Sequence, residues 1–99
     1  MNNYKIITTD TAKEDVKNIS SYIAKDNVRA AIAITKMFKA YIEKLSNFPN
    51  LGTHKAGIKD KDILIFTVKQ RYSIAYKLVD DNIVILRILS RYQDIFAIL

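Results

Sequence analysis

Four side chains in the last third of the chain, Arg71, Arg87, Arg91 and Tyr92, are of the types that phosphodiester chemistry needs. Breaking RNA through its own 2′-hydroxyl calls for a group that takes a proton, for cations that stabilise the extra charge on phosphorus, and often for an aromatic ring that stacks a base. Lys59, Lys61 and Lys69 stand nearby in the sequence. With Arg71, Arg91 and Tyr92 they make up the candidate set for gripping a macromolecular target. The plainer alternative is that Arg87 pairs with a carboxylate, the lysines form a solvated face and Tyr92 packs against the sheet, because charged clusters usually do no catalytic work.

Other chemistries find little support. His54 stands alone, without a second His or any Cys, which argues against a metal site built on N or S ligands. The only glycines are Gly52 and Gly57, so there is no Gly-rich phosphate loop, and no Gly-x-Ser-x-Gly elbow or paired-carboxylate signature is present. No cofactor is expected.

The elements that position these residues must fit within 99 residues, enough for one domain spanning 1–99 but not for a second core. Apolar residues make up 49% and charged residues 26%, too hydrophobic for a disordered tail. Without cysteine, stability must come from packing. Sixteen basic against ten acidic side chains give a net charge of +6, a balance that favours polyanions or an acidic protein partner. The stretch from Lys55 to Lys77 carries six basic residues against Asp60 and Asp62 and so holds +4 of that charge. No apolar run approaches the roughly 20 residues that span a bilayer. The start, Met1-Asn2-Asn3-Tyr4-Lys5, lacks the pattern of an export signal. A cytoplasmic protein with no membrane partner is expected.

Tyr4 to Thr8 reads as an opening strand. Thr11-Ala12-Lys13-Glu14 spells a capping box, so a helix is expected from there, with Ala12, Val16, Ile19 and Ile23 on its core face. After the turn Lys25-Asp26-Asn27 a second helix runs to about Asn47, its stripe formed by Ala31, Ile34, Phe38, Tyr41, Leu45 and Phe48. So short a connection makes the pair an antiparallel hairpin, which Pro49 and Gly52 terminate. Asn50 to Lys61 reads as a surface loop with His54 solvated. Three strands follow, at Ile63–Val68, Tyr72–Leu78 and Ile83–Leu89, the last two joined by a tight turn at Asp80-Asp81-Asn82.

The expected class is therefore α+β: an N-terminal strand, a two-helix hairpin and a three-stranded antiparallel meander, giving a four-stranded sheet with the helices on one face. The other face is expected to stay partly open. Strict alternation along the last strand sets Val84, Leu86 and Ile88 on one side, and Ile83, Ile85, Arg87 and Leu89 on the other. Tyr22, Tyr41, Tyr72 and Tyr76 fall at core periodicity and are expected to pack. The apolar end, Ile95-Phe96-Ala97-Ile98-Leu99, is expected to dock on the sheet.

At this level of detail the chain resembles the ParE/RelE superfamily of bacterial type II toxins, on its ParE-like side. The resemblance spans nearly the whole length. It rests on Ala12, Asp15, Val16, Ile19, Tyr22 and Ile23, on Asp26-Asn27 with Ala30 and Ala31, and on Leu45 with Phe48-Pro49-Asn50-Leu51-Gly52. Arg71-Tyr72-Ser73-Ile74-Ala75-Tyr76 and the ending Ile85 to Ile95 complete it. The resemblance implies a toxin of the plasmid-stabilisation type, silenced by a cognate antitoxin whose acidic disordered tail folds across it. Operator DNA would be reached only through that antitoxin. For the target it implies either DNA gyrase, as for ParE-like members, or mRNA on the ribosome, as for RelE-like nucleases. Arg71, Arg87, Arg91 and Tyr92 are the catalytic candidates in the nuclease case. A degenerate toxin that only binds its antitoxin is a third possibility. In the terminal motif Gln93 stands where the ParE-like pattern has arginine, and Arg91-Tyr92 partly echoes the Arg then Tyr of the nucleases.

Overall fold

The computed structural model describes residues 4–99; Met1, Asn2 and Asn3, on which the reading of an N-terminus without an export signal partly rests, lie outside them. The chain runs β1 (Lys5–Thr8), α1 (Asp10–Ala24), α2 (Val28–Asn47), β2 (Leu64–Val68), β3 (Tyr72–Val79), β4 (Asn82–Ser90) and a single helical turn, α3 (Ile95–Ile98). The sheet order is β1-β4-β3-β2. β2, β3 and β4 form the antiparallel meander, whereas β1 lies parallel to β4 with Ile6 opposite Ile83 and Ile7 opposite Val84. The sheet is thus mixed. Parallel neighbours need a connection of a dozen or more residues, and here the helical hairpin with β2 and β3 supplies it.

Helix α1 starts earlier than the capping-box reading places it. Its cap is Thr9, whose hydroxyl accepts the Ala12 N–H at 3.2 Å while its own proton is directed at the carbonyls of Ile85 (2.9 Å) and Leu86 (3.1 Å). The same side chain therefore starts the helix and ties it to β4 where β1 ends. Asn27 caps α2 by accepting from the Ala30 N–H at 3.0 Å. Both helices lie on one face of the sheet, over a core of Ala12, Phe38, Leu45, Val68, Ile74, Tyr76, Ile83, Ile85 and Ile88. Phe38 meets Tyr72 edge-on at 5.1 Å between centroids, and Tyr41 lies against Phe66. Tyr22 departs from the expected packing: it is 73% exposed, at the far end of α1 with Lys25 over its ring.

Two further expectations are corrected. Strict alternation fails on β4, because the ladder shifts where Ala75 pairs with Arg87 and Tyr76 pairs with Ile85, leaving Leu86 as an extra residue. Ile83 and Ile85 before this bulge, and Ile88 after it, consequently share the helix-covered face. The opposite face is also less bare than expected. Ile58 and Ile63 of the long loop pack there with Ile65 and Ala75, and Leu86 and Leu99 lie against them. The corner by Ile7 and Val79, each more than 40% exposed, stays open. Leu99 docks as expected, but Phe96 remains half exposed, and Phe96 lies against Gly57, which sits at φ 96°.

The corner Phe48 to Gly52 closes around one phenol. The Tyr76 hydroxyl donates to the Pro49 carbonyl at 2.7 Å and accepts the Gly52 N–H at 2.8 Å. A Cβ on Gly52 would lie 2.6 Å from that oxygen, so glycine is what permits the approach. Burial holds the Tyr76 phenol above its ordinary pKa.

Candidate functional site

The β2–β3 turn and the end of β4 bring the terminal basic residues together. The turn closes through the Arg71 N–H donating to the Val68 carbonyl at 3.0 Å, with Lys69 (φ 51°) and Gln70 (φ 61°) both in the left-handed region. That geometry favours Asn-Gly, so Lys and Gln hold it at a cost. Across the ladder Tyr72 pairs with Ser90, and the Arg91 N–H donates to the Arg71 carbonyl at 2.7 Å. Arg71 and Arg91 therefore leave adjacent strand ends side by side. Gln93 braces the same corner by accepting the Ser90 N–H at 2.9 Å, and Asp94 caps the final helical turn.

Arg91 donates through Nη2 to the Tyr92 hydroxyl at 2.9 Å, and its guanidinium lies 5.0 Å from the centre of the Tyr92 ring. That hydrogen bond, the charge of Arg91 and the more distant charge of Arg71 lower the Tyr92 pKa below the ordinary phenol value. The ring itself is 83% exposed and does not pack against the sheet. Together Arg71, Tyr72, Ser90, Arg91 and Tyr92 line a shallow notch of about 210 Å³. Two guanidiniums and an acidified phenol on an open rim suit the recognition of a phosphate or carboxylate.

Arg87 is not part of this notch. Its Nε and Nη2 donate to the two carboxylate oxygens of Asp15 at 2.8 and 3.0 Å, and the Ile88 N–H adds a third bond at 2.9 Å. The pairing raises the Arg87 pKa further. Its cause lies in the sheet edge. β1 pairs with β4 only as far as Ile85, so beyond that point the β4 backbone needs another partner, which α1 supplies through the buried Asp15. Asp15 is the residue whose role the sequence reading missed. The available signal was an acidic side chain set between Ala12 and Val16 on an otherwise apolar helix face.

The lysines divide. Lys69 stands beside Arg71 on the rim of a large apolar groove floored by Ile23, Ala30, Ala33, Ile34, Met37 and Tyr72. Lys61 lines a separate depression with His54 and Lys55, in the loop that also carries Lys59. That loop shares no lining residue with the notch. His54 Nδ1 donates to the Ile63 carbonyl at 3.1 Å, and Asp60 binds Lys77 at 3.1 Å. No cluster of three or more His, Cys, Asp or Glu suited to a metal occurs among the described residues. Among those residues no helix is long and apolar enough to cross a membrane.

A family model described as the ParE toxin of the type II toxin–antitoxin system parDE matches residues 6–95. Among solved structures, the chromosomal ParDE toxin–antitoxin system from P. aeruginosa is similar with a TM-score of 0.75 at 17% identity, covering 91% of this chain and 98% of that one. The RelBE2 toxin–antitoxin complex from Mycobacterium tuberculosis gives 0.61 at 22% identity, covering 90% of this chain and 99% of that one. A conserved hypothetical protein from Helicobacter pylori gives 0.59 at 21% identity, covering 91% and 97%. At these identities the structural likeness speaks for the fold. A comparison with curated proteins returned no significant match.

Proposed function

Because the chain belongs to the ParE toxin family of type II toxin–antitoxin systems, we propose that residues 1–99 act as one cytoplasmic toxin domain that arrests growth by binding DNA gyrase, and that a cognate antitoxin with an acidic, disordered tail neutralises it. Operator DNA is reached only through that antitoxin. Arg71, Arg91 and Tyr92 make the central contact with the target, Lys69 extends it, and Lys59 and Lys61 contribute from the loop before β2. The observation that carries this reading, beyond the family match, is the openness of the notch. Catalytic centres gain from excluding water, whereas here the Tyr92 phenol is 83% exposed on a depression of about 210 Å³. The one arginine near the sheet interior, Arg87, is held in a bidentate pair by Asp15. An exposed basic rim of this kind suits recognition without a chemical step.

One observation favours a second reading, a RelE-like ribosome-dependent mRNA endonuclease. The lowered pKa of Tyr92 beside Arg71 and Arg91 would serve a proton transfer at a phosphodiester. The test is a DNA gyrase supercoiling assay run beside translating ribosomes whose mRNA ends are mapped. Blocked supercoiling with intact message is the expected result. Cleaved message with normal supercoiling overturns the gyrase reading in favour of the nuclease. Neither effect, with an antitoxin complex still formed, would mark a toxin that has lost its activity and only assembles with its partner.

A further inference from the structure

The outer edge of β1 has no partner strand among the described residues. On its inner side the Lys5 N–H donates to the Asp81 carbonyl at 2.9 Å and the Thr9 N–H to the Ile85 carbonyl at 3.1 Å. Alternation therefore turns Ile7 towards β4 as well and points the N–H and C=O groups of Ile6 and Thr8 outward. The side chains there are apolar on both faces of the sheet, with Ile6 39% and Ile7 46% exposed. An apolar edge without proline or bulge is a template for another strand. Beside it opens a cleft of about 390 Å³, floored by Ile6, Phe38 and Ile42 and bordered by Lys13, Lys39 and Glu43. Lys39 and Glu43 are exposed, and the ion pairs among the described residues, Lys77 with Asp60 and Arg87 with Asp15, engage neither.

We propose that the occupant of this edge is a second copy of the chain, with β1 antiparallel to β1 about a two-fold axis at Ile7, so that two four-stranded sheets become one. Bonding parity fixes the axis. Ile6 and Thr8 carry the outward groups, so Ile6 of each copy exchanges N–H to carbonyl bonds with Thr8 of the other, and Ile7, midway between them, meets itself. Charge agrees with this register. α2 runs against β1, since the Tyr4 N–H donates to the Ser46 carbonyl at 3.1 Å while Thr8 shares the cleft with Phe38 and Lys39. The helix from Ser46 back to Lys39 rises about 10 Å, as does the strand from Tyr4 to Ile7. Lys39 thus lies near the level of the axis, and the two-fold sets Glu43 of each copy against the Lys36 to Lys39 ridge of the other. A rim carrying both signs is what a self-complementary contact requires, whereas a purely basic one would repel its copy. Three strand residues fall short of the roughly 800 Å² per copy of a standard interface, so the cleft walls must close together too, and a micromolar, exchanging dimer is expected. Val84, opposite Ile7, is six residues or about 20 Å along β4 from Ser90 at the notch. The dimer therefore leaves both notches open, one at each end, and presents the target-binding surface twice. Its formation does not depend on the toxin reading.

The test is sedimentation equilibrium of the purified full chain from low micromolar to near-millimolar concentration, where the mass is expected to move from one chain to two. Ile7→Lys sets two ammonium groups against each other on the axis and should weaken the dimer by at least about tenfold. Glu43→Lys, at an exposed helix position, should weaken it several-fold. Should the lysine at position 7 disturb folding, a covalent readout remains, because the chain has no cysteine of its own. Residues that meet without exchanging hydrogen bonds across an antiparallel pair have Cα atoms about 4.5 Å apart, within disulfide range. Ile7→Cys is therefore expected to link two copies under mild oxidation, and Lys5→Cys, equally exposed but four strand positions out of register with its copy, is not. A single-chain mass for wild type at every concentration overturns the proposal. So does a dimer that Ile7→Lys leaves intact, or Ile7→Cys linking no faster than Lys5→Cys. An affinity unchanged in Glu43→Lys overturns the placement of the helices across the axis.

Discussion

Removing the carboxylate of Asp15 tests how the fold closes the edge of β4. In Asp15→Ala the two Arg87 hydrogen bonds at 2.8 and 3.0 Å disappear, and the Ile88 N–H loses its acceptor at 2.9 Å. Breaking a buried pair by deleting one partner typically costs about 3–5 kcal/mol, because the other charge is left without compensation. Here the Asp15 side chain is 10% exposed and that of Arg87 27%, so the abandoned guanidinium regains part of its hydration. The buried Ile88 N–H does not, and an unsatisfied donor of that kind costs about 1–3 kcal/mol. The expected loss is therefore about 2–4 kcal/mol in urea unfolding. With about 4–8 °C per kcal/mol for a domain of this size, that means a fall in Tm of roughly 10–30 °C. Asp15→Asn, which keeps an acceptor for Ile88, should lose less than Asp15→Ala. Arg87→Met in the Asp15→Ala background should recover part of the loss, since no unpaired charge remains. A loss below about 1 kcal/mol, the size expected of an exposed ion pair, or an Arg87→Met double variant no better than Asp15→Ala, would refute the claim that this pair secures the sheet edge.

Gly52→Ala should cost about 1–3 kcal/mol by pushing the corner off the Tyr76 hydroxyl, whereas Tyr76→Phe should cost a similar amount by leaving the Gly52 N–H unpaired; thermal melts of both, against an exposed Ala56→Ser control, decide it. Absorbance titration of the tyrosines should begin with Tyr92, lowered by Arg91 and Arg71, and end with Tyr76, raised by burial; Arg91→Ala should remove the early phase. The sign of the Tyr76 shift sets the pH dependence of stability. Its raised folded pKa favours the native state fully below the ordinary phenol value, and that contribution is lost as pH rises through the folded value, so alkaline unfolding should be less steep in Tyr76→Phe. Gln70→Gly should stabilise the chain by about 0.5–1 kcal/mol in urea unfolding, because glycine adopts the positive φ of the turn without strain.

What was legible in the sequence is what local pattern encodes. The stepped stripe from Ala31 to Leu45 gave α2, the alternation from Tyr72 to Leu78 gave β3, and Asp80-Asp81 gave the turn between β3 and β4. The failures share one cause, which is contact between distant parts of the chain. Thr9 caps α1 in place of Thr11 because it also reaches the β4 carbonyls 76 and 77 positions away. The bulge at Leu86 reverses the facing of Ile88, and nothing in a run of alternating aliphatic residues marks where a ladder shifts. Ile58 sits in a stretch with loop composition, yet together with Ile63 it covers the second face of the sheet. For the candidate site, Arg91-Tyr92 could be found as a pair of neighbours, and the meander implied that Arg71 would lie close. That Arg87 belongs to Asp15, 72 positions away, required the fold.

The most direct test is calorimetric titration of purified gyrase with the chain, using wild type, Arg91→Ala and Lys25→Ala. Lys25 lies over the Tyr22 ring and does not line the notch. Saturable binding that Arg91→Ala weakens by at least about tenfold and Lys25→Ala leaves unchanged is the expected result. No heat of binding for wild type, or equal affinities for the two variants, would contradict the account.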